Sequence, residues 1–592
     1  MSLKKYITEL QRRHVFKSAI AYLIVAWLIV QVASIVLPTF NAPPYFMKTL
    51  LFILSIGFPV NLIIAWIYDI TPEGIKKTEN IDQKSQKSVI KNSRLNKVII
   101  VSLSIAIIVL LYNQFRVTSK SELTDQAMAT EKPIASNLIA VLPFLNTKAD
   151  VETDYLGFAI ADQIIGSLVY LNHITVRPSS SVRKFENQTI DPAAVGKDLN
   201  VDYVLVGNYL KENDLIRLNI ELINLKTNKI VWREPVEVNY ESAFQLQDIV
   251  SKKVVKGLDL QFSQQELKRI NKDIPTNPLA YEYYLRAVAY PRNNEGDELA
   301  VEMVKKSIAL DSMYAPSYAL LGDRLHTLAN YGLLDTIEFQ KAENYLKKGL
   351  TMNPDLFNAM GSLAFIYTET GRIEEAVQLT RKMIEISPNN ADAHFNLSYI
   401  YRYVGMNDEA VIETDKALAL DSKNPRYRSC LITYYFAGKN EKALNTVDNF
   451  QKTAFIITQQ AFVYVHMGRP QEAIPYLKKA LELEPEGLTG QLASAILEAI
   501  DGNKDEVKRI VNKLEAYNLM DAEPWYFFAQ CYGMISDTEG TVRCLKRAVD
   551  GGFYNYPLMI RDVFFDPVRE DPTFKEIVAI AKQKHLAFQK EL

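Results

Sequence analysis

Five glycines set a beat in the second half of this chain. Gly371, Gly405, Gly438, Gly468 and Gly502 follow one another at 34, 33, 30 and 34 residues. Five positions after each stands a compact apolar residue: Ala376, Ala410, Ala443, Ala473 and Val507. A period of this length belongs to a helix-turn-helix unit that cannot bury its apolar face alone and so stacks on its neighbours as a superhelix. Glycine suits the tight turn between the two helices, and proline cannot continue the second one. Leu363, Tyr367 and Pro388 keep the same phase around Gly371 as Leu397, Tyr401 and Ser422 keep around Gly405. The short interval from Gly438 to Gly468 predicts a local distortion of the superhelix.

The chain has 592 residues, enough for several domains, and its 67 basic and 69 acidic residues leave no footprint for wholesale nucleic-acid binding. No nucleic-acid partner is expected. The three cysteines, Cys430, Cys531 and Cys544, form no CxxC pair, which excludes a disulfide framework or a zinc ribbon. Each is expected to be a small buried side chain.

Two apolar runs, at 18–37 and 49–68, are each long enough to cross a bilayer as a helix, and a third at 95–115 is shorter in its core. Together they predict a membrane anchor over 1–115, with the lipid bilayer as a partner. Basic residues flank the pair: Lys4, Lys5, Arg12, Arg13 and Lys17 before it, and seven between Lys76 and Lys97 after it. Such flanks belong on the cytoplasmic side. The expected location is the inner membrane, multi-pass, with the soluble domains periplasmic once the third run crosses. Gln31 and Asn61 are amides placed to bond each other between the first two runs.

After a polar linker over 116–136, the pattern changes to short strands. Leu138-Ile-Ala-Val-Leu-Pro-Phe144 reads as a buried strand, followed by a helix over 158–170 and a strand over 174–177. A helix over 192–199 leads to three strands, 203–210, 216–223 and 229–238, with turns at Glu212-Asn213-Asp214 and Lys226-Thr227-Asn228. A helix over 243–258 closes an α/β domain assigned to 137–260. Asp154, Asp162 and Asp202 have no His, Cys or Ser-x-x-Lys at a spacing that makes a shared site, and the glycines at 157, 166, 196 and 207 form no phosphate cradle. Arg177 with Ser179, Ser180 and Ser181 reads as the turn after a strand, with anion binding as the functional alternative. No catalytic residue, metal or cofactor is expected.

Within this domain Ile139-Ala-Val-Leu-Pro-Phe144, Tyr155-Leu-Gly157, Arg177-Pro-Ser-Ser180, Val201-Asp-Tyr-Val-Leu-Val-Gly207, Trp232 and Leu246-Gln-Asp248 resemble the N-terminal domain family of TolB and its relative in the flagellar protein FlgO. In many proteins of that kind the domain precedes tetratricopeptide repeats and follows a cytoplasmic output module. Here about 17 residues precede the first apolar run, too few to fold into such a module.

The beat of glycines itself resembles the tetratricopeptide repeat (TPR) family, assigned here to 277–550 with capping helices over 551–592. In that family the first helix of each pair lines a concave groove. Carried over position by position, this selects Asn358, Phe365 and Thr368, then Phe395, Tyr399, Arg402 and Tyr403, then Phe462 and His466. Aromatic and Arg side chains suit such a surface. Asn396 fits one position of the carboxylate-clamp subtype, whereas Gly361, Phe365, Pro425 and Ser429 do not. The architecture expected is multidomain: N-terminal transmembrane helices, an α/β TolB-N-like domain and an all-α TPR superhelix. The function expected is a membrane-anchored, non-catalytic scaffold that binds a protein or peptide in the groove. The alternative is a transmembrane sensor coupling the periplasm to a cytoplasmic partner.

Overall fold

The computed structural model describes residues 15–39, 50, 52–59, 61, 68–71 and 74–77 of a first unit, Met1–Lys132. In the second unit, Pro133–Leu592, it describes 137–591 apart from 172, 189–190, 240–244, 261–262, 271, 331–335 and 518.

In the first unit, α1 (Val15–Thr39) has 25 residues and leaves Leu23, Ile24, Val25, Trp27, Leu28 and Ile29 exposed. Among the described residues no helix is long and apolar enough to cross a membrane. The expectation of N-terminal transmembrane helices at 18–37 and 49–68 is corrected accordingly, and with it the multi-pass inner-membrane location with periplasmic domains. The second run also ends differently from a helix. Tyr68 opens β1 (Tyr68–Thr71), which pairs antiparallel with β2 (Gly74–Lys77), Tyr68 opposite Lys77. Asn61, expected to meet Gln31, instead exchanges hydrogen bonds with Ser18, accepting from its Oγ at 3.2 Å and donating to its carbonyl at 3.3 Å. The third run and the linker lie outside the described residues.

The second unit begins with a sheet in the order β5-β3-β6-β7-β8. Its elements are β3 (Asn137–Val141), β4 (Leu145–Asn146), α2 (Leu156–Leu168), β5 (Ile174–Val176), α3 (Ser179–Val182), α4 (Pro192–Leu199), β6 (Tyr203–Glu212), β7 (Leu215–Asn224), β8 (Lys229–Asn239), α5 (Gln245–Gly257) and α6 (Gln264–Ile270). β3 runs parallel to both β5 and β6. A strand in that position is covered on both faces, which is why Ile139, Ala140, Val141 and Leu142 form one unbroken apolar run at 0 % exposure. β6, β7 and β8 form an antiparallel meander. In β7 the buried Ile216, Leu218, Ile220 and Leu222 alternate with Arg217, Asn219 and Glu221, the period of a strand with one face in the core. Asn213 and Asn228 turn the two hairpins at φ 52° and 50°.

Helix pairs follow. They are α7 (Pro278–Ala289) with α8 (Asn294–Leu310), α9 (Ala315–Asn330) with α10 (Thr336–Met352), α11 (Phe357–Glu369) with α12 (Ile373–Ile386), and α13 (Ala391–Val404) with α14 (Asn407–Leu420). Next come α15 (Cys430–Phe436) with α16 (Asn440–Thr446), α17 (Ala454–His466) with α18 (Pro470–Leu483), α19 (Leu488–Asp501) with α20 (Lys504–Glu515), and α21 (Glu523–Met534) with α22 (Thr538–Asp550). The closing segment carries α23 (Tyr556–Met559), a 3-10 turn (Val563–Val568) and α24 (Pro572–Glu591).

All five glycines of the beat adopt the left-handed conformation, with φ from 72° to 81°, and all five residues placed five positions later are at 0 % exposure. The short interval is taken up by the fifth pair. Its first helix is partly a 3-10 turn, Pro425–Ser429, and α16 is cut to 7 residues. The beat also continues past the last glycine: Ser536, 34 residues after Gly502, holds φ 60°. A serine in this region carries the steric cost of its Cβ. Ser536→Gly is therefore expected to raise the unfolding midpoint in urea, a gain of about 0.5 kcal/mol once glycine's extra unfolded-state entropy is subtracted.

Candidate functional site: the inner face of the repeat array

α21 reads Glu523-Pro-Trp-Tyr-Phe-Phe-Ala-Gln-Cys-Tyr-Gly-Met534, apolar on every side, and a helix of that kind has to be enclosed. Every residue from Trp525 to Tyr532 is exposed by 3 % or less. Its pair partner α22 and the preceding pair cover one side, and first helices of earlier pairs cover the other. Phe527 lies 5.2 Å from the Phe462 ring of α17 and 5.7 Å from Phe436 of α15. Gln530 donates to the Tyr435 hydroxyl at 3.0 Å and to the buried Asp562 at 2.7 Å, where the Tyr526 hydroxyl also donates. The chain after α22 follows the same path. Phe553 packs on Tyr403, Phe436 and Tyr526, and Asn555 donates to the Arg402 carbonyl at 2.8 Å. The closing segment thus does more than cover the last pair, since His585 of α24 also reaches the Val404 carbonyl.

Against this occupant the groove residues expected from sequence fall into three groups. Asn358 is exposed, and Phe365 and His466 are half-buried. Thr368, Phe395, Tyr399, Arg402, Tyr403 and Phe462 are buried. Thr368 donates back to the Ala364 carbonyl within its own helix. Phe365, Phe395, Tyr399 and Tyr427 form a continuous aromatic run, with centroids 6.0 Å apart for Phe365 and Phe395, 5.0 Å for Phe365 and Tyr399, and 4.8 Å for Phe395 and Tyr427. His466 sits edge-on to Tyr435 and Phe564, and burial lowers its pKa. One clamp-like asparagine, Asn396, is spent on the Gly361 carbonyl of the neighbouring helix.

A charged cluster closes the contact, and its acidic members escaped the sequence reading. Arg402 pairs with Glu523 through Nε at 2.8 Å and Nη2 at 3.1 Å, and lies 4.5 Å over the Tyr399 ring. Tyr403 donates to Asp521 at 2.5 Å and meets the Tyr399 hydroxyl at 2.7 Å. His326 of α9 meets Glu369 of α11 at 2.6 Å. Burial disfavours its imidazolium, but the Glu369 carboxylate outweighs burial and raises the pKa. Among the described residues no cation pairs with Asp521. Burial, then the like charges of Glu369 and Glu523, push its carboxyl up to about 8. Among the described residues no three His, Cys, Asp or Glu are placed to hold a metal ion.

A second contact runs along the turns between pairs. Asp311, Asn353 and the pair Asp421 and Asn424 stand in three of these turns, after α8, α10 and α14, and are all buried, because the α/β domain and the segment after it bond to them. Thr276 donates to Asp311, Asn353 to Asp273, Ser180 to Asn424 and Ser181 to Asp421. Lys423 pairs with Asp198 at 2.5 Å, and Arg269 with Asp355 at 3.3 Å. The serines after β5 are therefore docking groups here, and Ser179 bonds Asp162 at 2.5 Å. Burial raises the Asp162 pKa. The three carboxylates considered from sequence serve separate places: Asp154 accepts from Asn146, Asp162 from Ser179, and Asp202 pairs with Lys226. The cysteines are buried, and burial pushes the Cys531 thiol up to about 12, the state of inert structural thiols.

Comparison with known proteins places these parts. Tetratricopeptide repeat models match residues 357–390, 379–412 and 456–486, so the C-terminal region carries TPR repeats. Residues 135–253 match the second domain of HilA/YgeH-like transcriptional regulators, over the span where the sequence leads us to expect a TolB-like domain. A protein of Rhizobium meliloti (strain 1021) described as "Putative adenylate cyclase 3" is 30% identical over 149 residues, 25% of this chain and 25% of that protein. The chain thus spans about a quarter of that relative's length. Among solved structures, a thermophilic TPR protein of Thermus thermophilus is 21% identical, with 31% of this chain and 98% of that one covered and a TM-score of 0.28. Pseudomonas aeruginosa PilF is 19% identical, with 38% and 96% covered and a TM-score of 0.25.

Three substitutions test the closed inner face. Arg402→Ala strands the buried Glu523 carboxylate and is expected to cost about 3–5 kcal/mol in urea unfolding, whereas Glu523→Gln, which keeps a hydrogen-bonding partner, costs less. Gly552 holds φ 107°, and a Cβ there would lie 2.3 Å from Gly371 Cα. Gly552→Ala is expected to lose about 2–4 kcal/mol by the same measurement, since backbone faces backbone and neither side chain can give way.

Proposed function

We propose that this chain is a regulatory protein-interaction scaffold. TPR domains bind protein or peptide partners, and the observation that carries the reading is the inner face itself. First helices from successive pairs present an aromatic and Arg-bearing surface that holds an aromatic helix, α21. A surface that recognises a helix through buried aromatics and one paired Arg has the composition of an interaction site. The most accessible of its members are Asn358 and Phe365, two turns apart on one side of α11. Thr368, Phe395, Tyr399, Arg402, Tyr403, Phe462 and His466 extend the same surface beneath α21 and the closing segment. In this reading the α/β domain, TolB-like in its motifs, is a second docking module held rigidly along the inter-pair turns.

The regulatory part rests on the α/β domain. Its match to a domain of transcriptional regulators, and the partial similarity to a protein described as a putative cyclase, favour a role in relaying a signal. No chemical step is assigned to the chain. The test is photo-crosslinking from position 358 in intact cells, followed by rebinding of the captured protein in purified form. Saturable micromolar binding that weakens at least tenfold in Phe365→Ala is the expected result. A captured protein that does not rebind, or that binds Phe365→Ala equally well, removes the interaction reading.

A further inference from the structure

The inner face of a repeat array is ordinarily described by what enters it from outside, yet here the occupant is part of the same chain. Three observations go together. α21 packs on its pair partner α22 and the preceding pair on one side, and on the other meets Arg402 of α13, Phe436 of α15 and Phe462 of α17, with the closing segment beside it. The turn before it places Asp521, and its own first residue Glu523, against α13, where Tyr403 and Arg402 receive them. Among the described residues the carboxylates at this place outnumber the cations: Glu369 is matched by His326 and Glu523 by Arg402, which leaves Asp521.

We propose that α21 and the turn before it are a built-in ligand of the repeat groove, closed over it by a latch that holds a proton at Asp521. The proposal deepens the interaction reading above and rests on it for the groove's purpose. Tethering supplies the occupant at high effective concentration, so an external helix meets a groove already filled. The latch follows from charge. The groups facing Asp521 are Tyr399, Arg402 and Tyr403 from α13, Glu369 from α11, His326 from α9 and its own neighbour Glu523. With the two cations already paired, an ionised Asp521, itself half-buried, adds a negative charge beside two others. Protonated, it keeps its bond with Tyr403 at no such cost.

The direction with pH is fixed by linkage. Closed, the Asp521 carboxyl holds its proton up to about 8; released into water, it ionises at the ordinary value of 3.8. Closure is therefore strongest below the ordinary value, weakens by about tenfold per pH unit as pH rises towards 8, and stays at its weakest above that. Glu523, whose pKa is also raised by burial, though opposed by Arg402, acts in the same sense.

Native-state hydrogen exchange on the full chain at pH 6, 7 and 8 tests this, with rates corrected for intrinsic exchange. In the wild type, peptides covering α21 are expected to open ahead of those covering α11, α13 and α17. Their opening constant is expected to rise about tenfold per pH unit, and Asp521→Asn to lower that slope. Opening of α21 only together with α11, α13 and α17, or a wild-type slope that is flat, overturns the latch. The wild-type series decides this even should Asp521→Asn not fold. A fluorescent synthetic peptide of residues 519–534, added in trans, separates the latch from the function on which it rests. Peptide binding that grows with pH in the same order supports both. A pH-dependent opening of α21 with no peptide bound leaves the latch standing and removes the inner face as a binding surface.

Discussion

A helix that is aromatic on every side has no face to offer to water, and the second unit is arranged around that constraint. Trp525, Tyr526, Phe527 and Phe528 point in four directions within one turn of α21, and all are buried. An ordinary helix pair buries one stripe against its neighbours and leaves the other side to solvent. α21 requires walls on all sides: α22 and the preceding pair supply one, and the array curves until α13, α15 and α17 face the other, beside the closing segment. The face-to-face glycines 371 and 552 mark where the curve meets itself, since only residues without side chains allow that approach.

Several of the polar groups buried by this closure are paired with one another. Asp562 accepts from Tyr526 and Gln530, Arg402 spans Glu523 and the Ser429 carbonyl, and Asn555 bonds the Arg402 carbonyl. Unpaired, each would carry the desolvation penalty of a buried polar atom. At the turn after α14 the same logic fastens the α/β domain, whose Ser180, Ser181 and lysine-paired Asp198 meet Asn424, Asp421 and Lys423. Tyr170 reaches a second turn, donating to the Asp355 carbonyl. A domain fastened at two turns is held in register with the array.

Much of this was legible in the chain of residues. The strands of the α/β domain follow from Ile139 to Leu142 and from the alternation in β7, because burial on one or two faces writes a distinct period. The helix pairs follow from glycines whose left-handed φ few other residues tolerate. Ser536 hid the last pair's place in the beat, as a serine carries no such signature. The N-terminal apolar runs illustrate a limit of another kind. Length and hydropathy led to membrane crossings, whereas Tyr68, the last residue of the second run, pairs in a hairpin with Lys77, a pairing that composition does not register.

The groove residues show where local pattern ends. Their types and positions on first helices were readable, but the burial of Arg402, Tyr403 and Phe462 depended on α21 and the turn before it, far along the chain. The charges of His326, Glu369 and the Asp521–Glu523 turn stand far apart in sequence, and nothing in their spacing brings them together. The sequence by itself determined the repeat, its turn chemistry and the α/β pattern, because these rest on contacts between near neighbours. Only the tertiary structure decided that the array closes on its own helix and gathers carboxylates about Arg402, because that depends on the accumulated curvature of several pairs.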